Sequence, residues 1–213
     1  MGEITSFSDR TKASLRETLL DAATELLPER GYTALRMADV AAHAGVSRQT
    51  VYNEFGNKAA LAQAVVLRTT SEFLEGIRLR VEHAQNLLDG IREAVVYTIE
   101  HARENRLVAA ALGTRTISTR TIGTEAGEDL LPLLTTKGAP ILTAATEIAA
   151  EQYREFEPSL SARSAALLAE TVVRLSLSHL VMPSHTADEA AASVVAVLAP
   201  AIRALTTDSS TME

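Results

Sequence analysis

The tetrad Ala44-Gly45-Val46-Ser47 joins two short segments with apolar faces, and no other feature of the chain restricts its fold as tightly. Ahead of it, Met37, Val40, Ala41 and Ala44 recur at the period of one helix face. Gly45 stands where that helix must end in the left-handed backbone region, which a residue without a Cβ enters at no steric cost. Ser47 offers its hydroxyl as the cap of a second helix, in which Val51 turns inward. Ala41 is small where two helix backbones must cross closely. The pattern predicts a helix-turn-helix over 36–55, an arrangement that lays its second helix in the major groove of DNA. Arg48, Gln49, Thr50, Tyr52 and Asn53 are then a polar set that packing does not explain.

Taken together, Ala41, Ala44-Gly45-Val46-Ser47, Thr50-Val51-Tyr52, Phe55 and Lys58-x-x-Leu61 resemble the signature of the TetR family of bacterial transcriptional repressors. The match runs from about residue 13 to about residue 62; beyond it the chain fits the family by length and helix pattern alone. By this resemblance Tyr52 contacts a phosphate through its hydroxyl, and so does Lys58, beside the exposed amides that open the next helix. Arg36 departs from the pattern, which has Ser or Thr there as cap and phosphate ligand. Arginine cannot cap, although its longer fork still reaches a phosphate. Asn53 replaces a residue that is often basic or aromatic.

Geometry lets Arg48 pair with guanine and Gln49 with adenine, while the Thr50 methyl meets that of thymine. The competing reading for each is a contact to phosphate or water alone. The chain's net charge is −7, and acidic residues slightly outnumber basic ones over residues 1–60. A basic patch therefore does not drive binding. We expect modest, salt-sensitive non-specific affinity and more reliance on dimerisation.

With 213 residues, 46% of them hydrophobic, the chain is long enough to bury a sizeable core. It contains no cysteine, which excludes disulfides and thiolate chemistry. No uninterrupted apolar run approaches the ~20 residues of a membrane span, and Met1-Gly2-Glu3-Ile4-Thr5 does not read as a signal peptide, so no membrane partner and a cytoplasmic location are expected. His43, His83, His101, His179 and His185 show no metal-ligand spacing; His101 with Glu104 is the nearest pair, and a solvated or hydrogen-bonded histidine is the better reading. No phosphate-binding loop, dinucleotide fingerprint or nucleophile elbow occurs. We expect no cofactor, no metal and no enzymatic activity.

The periodicity predicts an all-α chain in two parts. An arm over 1–12 precedes a DNA-binding domain over 13–62, whose first helix, about 11–30, ends at Gly31. A larger helical domain over 63–206 follows, and 207–213 form a tail. Asn57 caps a helix that runs to about 83. Further helices are expected at about 87–104, 106–119, 130–156, 159–182 and 187–206, with Thr186 and Glu189 forming a capping box and Pro200 bending the last near Val197. The polar stretch 119–128 is the best candidate for a lid.

Two further expectations concern the larger domain. Its last two helices carry Leu168, Val172, Leu180, Val194, Leu198 and Ile202, more apolar surface than one core needs. These residues either fill an intramolecular core or, as the resemblance favours, pack against a second copy in a four-helix dimer interface. In folds of this kind the ligand pocket lies among the middle helices, here about 87–182. Its aliphatic walls would draw on Leu107, Leu112, Ile117, Leu130, Leu134, Ile141, Ile148, Val172 and Leu175, with Arg115, Tyr153, Arg174 and His179 as polar candidates. That set suits a small lipophilic effector. The resulting expectation is a homodimeric repressor, released from a palindromic operator when the effector binds. A ligand-independent architectural or activating dimer, and an enzyme-like domain targeted by the helix-turn-helix, are the alternatives.

Overall fold

In the computed structural model, residues 7–111 and 139–209 are described, with side chains over 9–108 and 142–206. Every regular element among them is an α-helix, in the order α1 Phe7–Ala34, α2 Met37–His43, α3 Arg48–Phe55, α4 Lys58–Val81, α5 Leu87–Glu104, α6 Arg106–Ala111, α7 Ala139–Phe156, α8 Ala162–Val181 and α9 Ala187–Ser209. Side-chain caps set most of these boundaries, Asn57 and the Thr186–Glu189 box as predicted and Asn86 and Ser161 in addition. Asn57 accepts a hydrogen bond from the Ala60 amide at 2.9 Å, Asn86 from Asp89 at 3.0 Å and Ser161 from Ser164 at 3.1 Å. At α9 the capping box closes reciprocally: Thr186 N–H donates to Glu189 at 2.9 Å, and Glu189 N–H donates to the Thr186 hydroxyl at 3.3 Å.

Three boundaries differ from expectation. α1 starts at Phe7, so part of the expected arm is helix, and it breaks at Gly31, where φ is 73°. α8 opens at Ala162 rather than at Ser159, because Pro158, Ser159 and Leu160 form a turn and Ser161 supplies the cap. α9 holds Pro200 inside it, as expected, but runs on to Ser209, past the expected end near 206.

The helices close around two cores. Leu19, Leu27, Val40, Val51, Leu61 and Val65 centre the first, built by α1 to α3 and the start of α4. It also receives Leu107 from α6, 4% exposed. The second core is arranged about α5, whose Ile91, Val95 and Ile99 are buried among α7, α8 and α9. Arg68 of α4 ties the first group of helices together, donating to Glu17, Asp21 and Thr24 of α1 at 3.2, 2.7 and 2.8 Å.

The second core corrects one expectation. Leu168, Val172, Leu180, Val194, Leu198 and Ile202 are all buried within the chain, none more than 8% exposed. They point inward because α5 packs against α8 and α9 and needs their apolar faces. They are core residues, not an interface. The apolar side chains that these two helices leave outside are Leu167, Val181, Met182 and Val197, between 58% and 75% exposed. Length and composition alone would let α8 and the Ala187–Thr206 stretch of α9 cross a membrane, yet both supply this core.

Candidate nucleic-acid interface and interior cavity

The turn between α2 and α3 is built as its residues require. Gly45 has a φ of 69°, and Ser47 accepts from the Thr50 amide at 3.1 Å. Arg36 precedes α2 without a side-chain cap; Asp39 reaches back to its N–H at 3.1 Å instead, since a guanidinium has no acceptor. Arg16 of α1 holds Glu54 of α3 at 2.8 Å and lies 4.7 Å from the Phe55 ring centroid, while Arg30 pairs with Asp39 at 3.0 Å. These cations brace the unit from within.

Arg48, Gln49 and Asn53 are exposed on α3, with Thr50 and Tyr52 half-buried beside them. They are paired with one another along the helix. Gln49 donates to Asn53 at 2.8 Å, Arg48 to the Tyr52 hydroxyl at 3.3 Å, and the Ser47 and Thr50 hydroxyls lie 2.8 Å apart. Lys58 is committed elsewhere: its ammonium donates to the carbonyls of Tyr32 and Thr33 at 2.9 and 3.2 Å, over the Tyr32 ring. It stitches α4 to the end of α1. Lysine has three donors, so a phosphate contact competes with, or adds to, a bond the fold already uses.

Deeper in the chain, α4 to α8 line a partly open cavity of about 240 Å³. Phe73, Leu74 and Ile77 of α4 form one wall, Ile148 and Tyr153 of α7 and Val172 and Leu180 of α8 stand opposite, and α5 and α6 add His101 and Val108. Three hydroxyls in this lining are spent on their own helices: Thr70, Thr98 and Ser176 donate to the carbonyls four residues back at 2.7 to 2.8 Å. Burial pushes the Tyr153 phenol's pKa up. The described lining is therefore largely aliphatic and holds no Lys, Arg, Asp or Glu, with Thr69, His101, Gln152 and Tyr153 as its other polar side chains.

Of the residues predicted to line the ligand site, Ile148, Tyr153 and Val172 line this cavity, whereas Leu107 belongs to the first core and Arg174, Leu175 and His179 lie outside the lining. Arg174 is exposed and bound to Glu170 at 2.7 Å, because it falls on the outer face of α8. His179 stacks edge-on with His185, and Leu175 is half-buried against the second core. Leu112 and Arg115 lie outside the described residues, as does the candidate lid 119–128, and so does the side chain of Ile141. The α4 wall and His101 escaped the sequence analysis. The signal available for α4 was its continuing apolar face beyond Val65, at Phe73 and Ile77; nothing marked His101 out from a solvated histidine.

Residues 19–65 match the family of bacterial regulatory proteins of the tetR type, and residues 86–200 match the C-terminal domain of the bacterial tetracyclin repressor. The HTH-type transcriptional regulator AlkX of Mycobacterium tuberculosis is 30% identical over 199 residues, 91% of this chain and 88% of that protein. The crystal structure of the TetR family repressor AlkX from a Dietzia species, implicated in biodegradation of n-alkanes, superposes with a TM-score of 0.63 at 29% identity, covering 90% of this chain and 96% of that one. The HTH-type transcriptional activator FasR of Mycolicibacterium smegmatis is 33% identical over 96 residues, 45% of this chain and 37% of that protein. All three are regulators of transcription rather than enzymes. With a helix-turn-helix in place, an all-helical second domain and these matches along most of its length, the chain belongs to the TetR family of DNA-binding transcriptional regulators.

Proposed function

We propose that the protein is a homodimeric repressor that releases a palindromic operator when a small aliphatic effector fills the cavity between α4 and α8. The observation that carries this reading is the identity of one wall. Phe73, Leu74 and Ile77 belong to α4, the helix that follows the recognition helix α3 after only Gly56 and Asn57. An effector that wedges against them shifts α4, and Arg68 makes α1 move with it. Two recognition helices must sit about 34–36 Å apart, or a multiple of that, to enter successive major grooves. Their separation changes with the tilt of α4, and the effector's differential affinity for the two shapes is the coupling.

Arg48, Gln49, Thr50 and Asn53 read bases, and Arg36, Ser47, Tyr52 and Lys58 hold phosphates. The second copy docks on the outer faces of α8 and α9, where Leu167, Val181, Met182 and Val197 are exposed. Work on chromosomal DNA puts the protein in the cytoplasm. An aliphatic effector also agrees with the Dietzia repressor's being implicated in biodegradation of n-alkanes. The test is operator affinity, on a palindrome selected in vitro, measured with n-decane, 1-decanol and decanoate in turn. At least one should weaken binding by ~5–150-fold, with operator weakening that ligand's binding by the same factor. Affinity unmoved by all three would favour a ligand-independent architectural or activating dimer.

A further inference from the structure

His101 is the one histidine in the described cavity lining, and it is built into an aromatic cluster. Its ring centroid lies 5.6 Å from that of Phe73 and 5.3 Å from that of Tyr97, and the two six-membered rings are 5.9 Å apart. The Tyr97 hydroxyl meets Nδ1 at 3.4 Å. With the phenol donating, the imidazole proton sits on Nε2. That nitrogen is buried and has no hydrogen-bond partner among the described residues.

A buried donor without a partner costs the desolvation of that group, and nothing in the second core requires an imidazole at this position. The surroundings sharpen the contrast. Thr70, Thr98 and Ser176 have turned their hydroxyl protons into their own helices. No Lys, Arg, Asp or Glu belongs to the described lining. The site thus offers a largely aliphatic, uncharged envelope that also holds Thr69 and Gln152, and among its polar side chains His101 presents a buried nitrogen without a partner among the described residues. At 3.4 Å the bond to Tyr97 is long and weak, so a small turn of the ring toward the cavity sacrifices little.

We infer that His101 is the polar anchor of the effector site, donating from Nε2 to a single neutral oxygen on an otherwise aliphatic molecule, so that the protein senses an oxygenated chain rather than the bare hydrocarbon. A carboxylate is disfavoured because it would enter a cavity whose described lining holds no fixed counter-charge. A plain alkane fills the envelope but leaves Nε2 unpaired. The inference rests on the aliphatic-effector reading above and narrows it to alcohols, aldehydes or esters. Because the ligand is held without covalent chemistry, the discrimination appears in affinity alone.

The experiment compares decane, 1-decanol and decanoate binding to the full-length protein by calorimetry, for wild type, His101→Phe and His101→Gln. Wild type should bind 1-decanol about tenfold more tightly than decane, the scale of one net hydrogen bond, with decanoate weaker than 1-decanol. His101→Phe should erase that gap by weakening 1-decanol while leaving decane unchanged, and His101→Gln, which keeps a donor, should restore most of it. In ¹⁵N-histidine spectra of the wild type, 1-decanol should shift the Nε2 resonance of His101 and decane should not. This last measurement decides the matter if His101→Phe fails to fold. Equal affinity for decane and 1-decanol, equal losses for both in His101→Phe, tightest binding of decanoate, or an Nε2 resonance that ignores 1-decanol would each overturn the assignment. Equal affinity for decane leaves the aliphatic-effector reading standing, whereas binding of none of the three removes both.

Discussion

Leu107 and Val108 are consecutive residues of α6 that serve different cores: Leu107 is buried in the core of the DNA-binding helices, and Val108 is part of the cavity wall. Arg106, next in line, pairs with Glu29 of α1 at 3.1 Å. One helical turn therefore touches both the cavity and the first helix. Replacing Leu107 with Ala should lower stability by ~2–5 kcal/mol, as for other buried leucines, and should shrink the factor by which an effector weakens operator binding. Urea melts and operator titrations measure the two separately. A loss of stability with the coupling intact would leave α4 as the sole transmitter.

Gly76 of α4 has no room for a side chain, because an added Cβ would lie 1.8 Å from the Tyr97 hydroxyl. Gly76→Ala should push the Tyr97 ring away from α4 and disturb its stacking on Phe73, an overpacking cost of ~1–3 kcal/mol less the ~1 kcal/mol that Ala gains over Gly inside a helix. Combining it with Tyr97→Ala should recover most of that cost in a double-mutant cycle. Additive losses would mean that the glycine is needed for some other reason.

On the proposed dimer, subunit contact and folding are separable on α8 and α9. Leu198→Glu places a charge in the second core and should unfold the chain, whereas Val197→Glu and Leu167→Glu alter exposed positions and should yield a folded monomer. Circular dichroism and sedimentation distinguish these outcomes. A dimer that survives both surface changes places the interface elsewhere.

On DNA, Gln49→Ala should change which operators are preferred, by ~1–3 kcal/mol at the base it reads. Lys58→Ala should weaken all duplexes and flatten the salt dependence by about one unit. The carbonyls of Tyr32 and Thr33 add a second effect, since they lose a charged donor and the variant should melt earlier. A lower melting temperature with an unchanged salt slope would assign Lys58 to the fold alone.

Alkaline stability should report on Tyr153. Its phenol's pKa is raised above the ordinary value of 10.0 by burial, so the folded chain keeps a proton that the unfolded chain releases. The contribution is complete below pH 10 and is lost as pH rises further toward the folded value. Tyr153→Phe should melt with a shallower decline than wild type above pH 10, and parallel curves would count against this account.

Local chemistry was legible in the sequence wherever one residue type does one job. Gly45, Ser47, Asn57 and the Thr186–Glu189 box act through neighbours a few residues away, and each stands as read. Orientation over longer distances was not. The spacing of Leu168, Val172 and Val194 is the same whether these side chains meet α5 or a second copy of the chain, and only the position of α5 decides. His101 was unreadable for a similar reason, because its meaning depends on Phe73 from α4 and on a cavity that five helices create together.

The self-paired side chains of α3 bear on how the protein searches DNA. Gln49 and Asn53 satisfy each other, as do Arg48 and Tyr52, when no base edge is offered. If these residues read bases as proposed, the pairs can stay closed on a wrong sequence, which leaves fewer polar groups without a partner in the groove. On that reading a mismatched site costs less than it would for unpaired side chains, and the landscape along the duplex is smoother for sliding. At the right sequence the pairs must open and trade one partner for another, so each base contact yields only the difference between two hydrogen bonds. Under the proposed dimeric reading, selectivity accumulates from several small differences, doubled over two half-sites, and one copy alone would distinguish its target far less well.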